Sequence, residues 1–105
     1  MAMRVRVADS GDVPVGKAVV VHAGGRRLAL CRPIEDEWYA IDDMCTHDGG
    51  PLGEGELSGY EIECPRHGAL FDVRTGEALT LPATRPVNAY KVYVEGNEVF
   101  VELPE

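Results

Sequence analysis

Short runs in which polar and apolar residues alternate are separated by turn residues along most of this chain. Alternation with a period of two is typical of β-strands that bury one face. The pattern predicts strands at 4–8, 17–23, 26–32, 37–42, 60–64, 70–73, 89–95 and 98–103. The chain is therefore expected to fold as an all-β protein.

Two pairs of these runs are joined by dipeptides that favour tight turns. Gly24-Gly25 separates the second run from the third, and Gly96-Asn97 separates the last two. Two-residue connections of this composition indicate β-hairpins. We expect the C-terminal strands to pair with the early ones and to complete an antiparallel β-sandwich or barrel.

The stretch between the fourth strand and the closing hairpin has a different character. Glycine, proline and acidic residues crowd into 48–55, which excludes a regular strand or helix there. We expect residues 42–82 to form a small subdomain inserted into a base domain made of about 1–41 and 83–105. Together they form one domain of 105 residues, near the usual domain size.

The composition of the chain indicates where in the cell the protein is located. Neither a signal peptide nor a run of the ~20 apolar residues that cross a membrane is present in the sequence. Three cysteines are too few, and odd in number, for a secreted disulfide scaffold. These features predict a soluble cytoplasmic protein. Cys31 is expected in the core, His22 at the surface, and Trp38 as a core or edge aromatic.

Acidic residues dominate the charge. The net charge is −8, which argues against nucleic acid as a partner. Positions 35–65 contain no Lys or Arg and carry the acidic side chains Glu35, Asp36, Glu37, Asp42, Asp43, Asp48, Glu54, Glu56, Glu61 and Glu63. This block either keeps the protein soluble or docks a basic partner.

Four metal-binding side chains lie in two paired clusters within the irregular stretch. Cys45 and His47 form a C-x-H motif, and Cys64 and His67 form a C-x-x-H motif. Thiolates with imidazoles suit zinc or iron–sulfur chemistry. Since each motif supplies one Cys and one His, each could give one ligand to each of two metals, as in a Rieske [2Fe-2S] centre.

The alternatives are a structural Cys2His2 zinc module and a Cys–His nucleophile. The C-x-H spacing is tight for two ligands on one ion, and zinc fingers usually pair Cys with Cys. The glycines after His47 also offer backbone N–H donors, which bridging sulfides need. The pattern places no third orienting group for a nucleophile. These points favour the cluster.

The segments CTHDGGPLGEGEL (45–57) and CPRHGALFDVRTGEAL (64–79) resemble the ligand loops of Rieske ferredoxins that serve bacterial aromatic-ring dioxygenases. The resemblance implies the Rieske (ISP-domain) fold and one [2Fe-2S] cluster. It implies Cys45 and Cys64 on the inner iron and His47 and His67 on the outer iron. It also implies that the loop from Pro82 to Pro86 covers the cluster.

Two departures distinguish the chain from high-potential Rieske proteins of cytochrome complexes. Those proteins carry an extra cysteine in each ligand loop, joined as a disulfide, and neither is present here. They also place Ser and Tyr after the second His, where this chain has Ala69 and Phe71. Without those hydroxyl donors the reduced cluster is less stabilised, so we expect a potential near the low end of the Rieske range, about −150 mV.

The resemblance implies an electron carrier rather than an enzyme. A flavin-dependent ferredoxin reductase would donate the electron and a terminal Rieske oxygenase would accept it, with docking by the acidic face of a monomer. The small Rieske subunit of an assimilatory nitrite reductase and a Rieske ferredoxin of iron–sulfur assembly share the motif and remain alternatives.

Overall fold

The computed structural model describes residues 3–45, 50–66, 68–81 and 83–104. Antiparallel strands dominate, and two 3₁₀ turns lie at Ser10–Asp12 and Leu52–Glu54. The strands are β1 (Met3–Asp9), β2 (Lys17–Ala23), β3 (Arg26–Ile34), β4 (Glu37–Asp42), β5 (Leu57–Ser58), β6 (Glu61–Glu63), β7 (Leu70–Asp72), β8 (Ala89–Tyr90), β9 (Val92–Glu95) and β10 (Glu98–Leu103). The all-β prediction is confirmed.

The strands form three sheets. The terminal sheet has the order β1-β10-β9, the central sheet β2-β3-β4-β8, and the small ligand-loop sheet β5-β6-β7. Neighbouring strands pair antiparallel throughout the described ranges. The sheets are open within the described ranges, so the base is a sandwich rather than a barrel.

The central sheet is buried on both faces. Leu28, Leu30 and Ala40 pack towards the terminal sheet, with Val99 and Val101 of β10. The intervening side chains pack towards the ligand-loop sheet in what we call the cysteine-side core, which includes Ala29, Cys31, Ile41, Cys45, Leu52, Leu57, Ile62, Cys64, Ala69, Phe71, Val73, Ala83 and Val87. Burial of both faces explains the uninterrupted apolar run at 28–31.

One predicted strand is shorter in the structure, and another is divided. The run at 60–64 contributes only β6, because Gly59 (φ +60°) and Tyr60 form a turn between β6 and an unpredicted β5. The run at 89–95 changes sheets at Lys91: β8 pairs with β4, whereas β9 pairs with β10. Alternation cannot distinguish one long strand from two that join different sheets.

The hairpins and the terminal pairing are confirmed. Ala23 pairs with Arg26 across Gly24-Gly25, and Glu95 pairs with Glu98 across Gly96-Asn97. β10 pairs with β1 along its length, as expected of a C-terminal strand that completes the base. The boundaries at 41/42 and 82/83 stay a prediction. No helix in the described part of the chain has the length and apolar character that crossing a bilayer requires.

Candidate metal centre

The first predicted ligand loop begins where β4 ends. Cys45 follows Asp42 by three residues, and its side chain is 1% exposed. The Cys45 amide donates to the Gly50 carbonyl oxygen at 2.8 Å, so these two residues lie close together. His47 lies outside the described residues.

The second loop is a tight reversal between β6 and β7. Cys64 directly follows β6 and is fully buried. Its amide donates to the Ala69 carbonyl at 2.8 Å, and the Gly68 amide donates to the Cys64 carbonyl at 3.0 Å. Gly68 has a φ of +74°, a conformation that glycine adopts without strain. His67 lies outside the described residues.

The structure brings the two cysteines of the motifs into one core. Cys45 and Cys64 both belong to the cysteine-side core, and neither forms a disulfide. Two thiols from separate loops therefore meet the same buried region, as ligands of one iron would. Within the ranges that the structure describes, no three metal-binding side chains come together. Because both loop histidines lie outside the described residues, the four-ligand set stays a prediction.

The structure confirms the sequence predictions for Cys31, His22 and Trp38. Cys31 is fully buried, and burial raises the pKa of its thiol to about 12, so it stays neutral. His22 is exposed on β2, and Trp38 is half-buried against the terminal-sheet core. Ala69 and Phe71 are both fully buried in the cysteine-side core, beside Cys64.

The acidic block is not one continuous surface, which corrects the simplest form of the docking prediction. Asp43 is 2% exposed and pairs with Arg27, with the Asp43 Oδ2 atom 2.8 Å from Arg27 Nε. Glu37 accepts hydrogen bonds from two tyrosines. Asp42 accepts one from the Tyr90 hydroxyl at 2.5 Å. These three carboxylates stabilise the fold, and Asp48 lies outside the described residues.

The exposed acids fall into two groups. Glu54, Glu56, Glu61 and Glu63 are exposed on or beside the ligand-loop sheet. Glu35 and Asp36 are exposed in the β3–β4 turn, at the end of β4 away from Cys45. A six-residue strand is about 20 Å long, so Glu35 and Asp36 do not border the first ligand loop, which begins at the other end of β4.

Comparison with known proteins decides the family. A family profile for the Rieske [2Fe-2S] domain matches residues 3–91, most of the chain. This chain belongs to the Rieske [2Fe-2S] family. The chain is 41% identical over 103 residues to the 3-phenylpropionate/cinnamic acid dioxygenase ferredoxin subunit of Escherichia coli (strain K12). This alignment covers 97% of this chain and 95% of that protein, so the relatives also identify the chain as a Rieske-type ferredoxin.

Solved structures agree with the assignment of a Rieske ferredoxin. The ferredoxin of carbazole 1,9a-dioxygenase from Nocardioides aromaticivorans IC177 matches with a TM-score of 0.89 and 38% identity, covering 94% of this chain and 96% of that one. A chain in a complex of reduced oxygenase and oxidised ferredoxin of carbazole 1,9a-dioxygenase matches with a TM-score of 0.86 and 37% identity, covering 93% and 91%. The relatives are electron-transfer components, not catalytic oxygenases, and so is this protein.

Several structural residues of the site were not predicted from the sequence. Arg27 and Asp43 form a partly buried ion pair across sixteen positions, and Asn88 and Tyr90 hydrogen-bond to Asp42. Arg27 follows Arg26 at the start of a strand, and nothing in the local sequence marks Asp43 as its partner. Only the antiparallel register of β3 and β4, which pairs Leu28 with Asp42, brings these side chains together.

Proposed function

We propose that this Rieske ferredoxin carries single electrons from a flavin-dependent ferredoxin reductase to the terminal Rieske oxygenase of an aromatic-ring dioxygenase, as a cytoplasmic monomer. The proposal is supported by relatives that are named dioxygenase ferredoxin subunits and by a similar ferredoxin in complex with its oxygenase. The matches extend over nearly the whole chain.

The proposed ligands are Cys45 and Cys64 on one iron and His47 and His67 on the other. The observation that carries this assignment is the burial of both motif cysteines in the same core, at the ends of two different loops. A thiolate in such surroundings needs a compensating positive charge, which a metal supplies. When bound, the [2Fe-2S] cluster takes up and releases one electron.

The residues around the second loop favour a low reduction potential. Ala69 and Phe71 are fully buried next to Cys64 and lack the hydroxyl groups that would stabilise added negative charge. Exposed Glu61 and Glu63 oppose electron uptake as well, although solvent screens them. We expect a midpoint near the low end of the Rieske range, about −150 mV.

Docking is proposed to use the glutamates of the ligand-loop side, namely Glu54, Glu56, Glu61 and Glu63. Their negative field would steer a basic patch of the reductase or oxygenase towards the cluster loops. Because such steering acts through solvent, it weakens as salt is added.

The ligand assignment is tested with substitutions for which the chain supplies its own controls. We expect His47→Ala and His67→Ala each to abolish the Rieske EPR spectrum, and His22→Ala to keep it. Cys45→Ala and Cys64→Ala should lose iron, whereas Cys31→Ala should keep it. A colourless wild-type protein containing stoichiometric zinc would contradict the cluster, and a Rieske spectrum in His47→Ala would contradict the ligand set.

The carrier role is tested with purified components. Stopped-flow absorbance should show rapid reduction of the protein by a flavin-dependent ferredoxin reductase and reoxidation by a terminal Rieske oxygenase. If the reduced protein fails to pass its electron to such oxygenases while reducing a nitrite reductase large subunit, the role in an aromatic dioxygenase is wrong.

A further inference from the structure

Asp43 is a buried carboxylate at the start of the first ligand loop. It is 2% exposed, and aspartates at such depth are rare unless they are paired. Its Oδ1 atom accepts a hydrogen bond from the Gly53 amide at 2.5 Å, and its Oδ2 atom accepts one from Arg27 Nε at 2.8 Å. Both carboxylate oxygens are therefore used.

The partners of Asp43 come from three different elements. Arg27 belongs to β3, Asp43 follows β4, and Gly53 lies in the 3₁₀ turn after the loop. Two hydrogen bonds to the Asp43 main chain strengthen the connection to β3: the Asp43 amide donates to the Arg27 carbonyl at 3.0 Å, and the Arg27 side chain donates through Nη2 to the Asp43 carbonyl at 3.4 Å. One carboxylate thus joins both ends of the segment 44–52 and ties them to the central sheet.

Gly53 allows this contact through its lack of a side chain. A Cβ atom at this position would lie 2.7 Å from Val20 Cγ2 and 3.0 Å from Asp43 Oδ1. The close approach leaves the end of the loop little room to shift relative to β2 and Asp43. The loop is therefore held by packing on one side and by the carboxylate on the other.

We propose that Asp43 is a positioning residue for the cluster: it sets the separation between the two ends of the loop that carries Cys45 and His47. Charge-assisted hydrogen bonds are short and directional, so they fix geometry better than neutral ones. The proposal rests on the ligand assignment made above and adds a residue that does not itself touch the metal.

The test compares cluster retention in purified holoprotein. Asp43→Asn keeps the size of the side chain but removes its charge. The asparagine NH2 group then faces the N–H donor of either Arg27 or Gly53, so one of the two hydrogen bonds is lost. Release of iron to a chelator should then be about 10- to 100-fold faster than in the wild type, the range usual for groups that orient metal ligands. The EPR g-values should also shift, because the geometry of the loop changes.

Val101→Ala is the matched control. Val101 is fully buried in the core on the opposite face of the central sheet, so its truncation destabilises the fold away from both loops. We expect its EPR g-values to equal those of the wild type. If Val101→Ala accelerates iron release as much as Asp43→Asn does at an equal loss of melting temperature, Asp43 acts only on global stability and the proposal is wrong.

Arg27→Gln keeps the test decisive if Asp43→Asn fails to fold. The Arg27 side chain is half exposed, so its replacement should be tolerated, and Arg27→Lys should restore part of the lost cluster retention. Wild-type retention and g-values in Arg27→Gln and Asp43→Asn would overturn the positioning role alone. Absence of a Rieske spectrum in the wild type would overturn the ligand assignment instead.

Discussion

Ala69 and Phe71 lie fully buried in the cysteine-side core with Cys64, and neither side chain carries a hydroxyl group. We expect Ala69→Ser to raise the reduction potential, because a serine hydroxyl that donates to a sulfur stabilises the reduced state. A net hydrogen-bond contribution of about 1 kcal/mol corresponds to roughly 40 mV for a one-electron couple. Protein-film voltammetry measures the shift.

Ala40→Ser is the control for this potential. Ala40 is also fully buried but packs on the other face of the central sheet. Its serine variant should be destabilised without a change in midpoint. Equal midpoints for both variants and the wild type would contradict the role of position 69.

Glu37 connects the central sheet to the ligand-loop sheet through two tyrosines. Its Oε1 atom accepts from Tyr39 Oη at 2.6 Å and from Tyr60 Oη at 2.9 Å. These hydrogen bonds hold the pKa of Glu37 below its ordinary value. The hydrogen bond to Glu37, assisted by burial, raises the pKa of Tyr39 to about 12. The network therefore keeps Tyr39 neutral at pH values where a free tyrosine ionises.

Glu37→Gln should shift the ionisation of Tyr39 to lower pH. A group whose pKa is raised by folding contributes its full stabilisation below the pKa that it has in the unfolded chain, and it loses this contribution as the pH rises through its folded pKa. For Tyr39 these two pKa values are 10.0 and about 12. The wild type should thus lose stability over that window, and the variant should lose less. Tyrosinate absorbance during an alkaline titration measures the shift.

Glu54→Gln, at an exposed glutamate outside this network, should titrate like the wild type. An unchanged tyrosinate curve in Glu37→Gln would show that the hydrogen bond does not control Tyr39.

At the scale of elements, the turn after β7 supports the segment that returns to the cysteine-side core. Gly76 has a φ of +82°, and its carbonyl accepts from the Val87 amide at 2.8 Å. A Cβ atom on Gly76 would lie 2.0 Å from the Val87 carbonyl oxygen. The turn and the segment are in such close contact that only glycine fits.

Gly76→Ala is expected to lower the melting temperature more than Gly16→Ala does. Gly16 has nearly the same φ, +83°, but a Cβ atom there meets nothing within 4 Å. Gly16→Ala therefore adds only backbone strain of about 1 kcal/mol, or roughly 5 °C. The clash at Gly76 should lower the melting temperature by roughly 15 °C. Circular dichroism during heating checks the order, and equal losses would contradict the steric explanation.

At the scale of the whole molecule, the charge of −8 is unevenly placed. Exposed glutamates on the ligand-loop side are near the proposed metal centre, whereas Glu35 and Asp36 lie at the far end of β4. The rest of the acidic block is buried or hydrogen-bonded, or lies outside the described residues. Only the first group is placed to steer a partner towards the loops.

Charge reversal on β6 should slow association with the redox partners. Glu61→Lys and Glu63→Lys are each expected to reduce the second-order rate constant roughly two- to tenfold at low salt, and the difference should shrink as salt is added. Glu35→Lys makes the same charge change at the end of β4 away from Cys45 and should have a smaller effect. Rates independent of both salt and position would rule out steering by this face.

Much of the fold and of the candidate site could be predicted from the sequence. The hairpins at Gly24-Gly25 and Gly96-Asn97, the buried Cys31 and the exposed His22 depend on local pattern and turn chemistry, which a single sequence contains. Cys45 and Cys64 lie in one core, which agrees with their assignment as ligands, and that assignment stays a prediction. β5 was missed because two residues are too few to show alternation.

The sequence by itself determined which residue types are available to bind a metal and which hydroxyl and disulfide groups are missing, because these are properties of side chains and their spacing. Only the tertiary structure decided which carboxylates are free to meet a partner and that Asp43 holds the first loop, because both depend on the register of β3 against β4. It also decided that the chain changes sheets at Lys91, since each half of that run satisfies the same alternation in a different sheet.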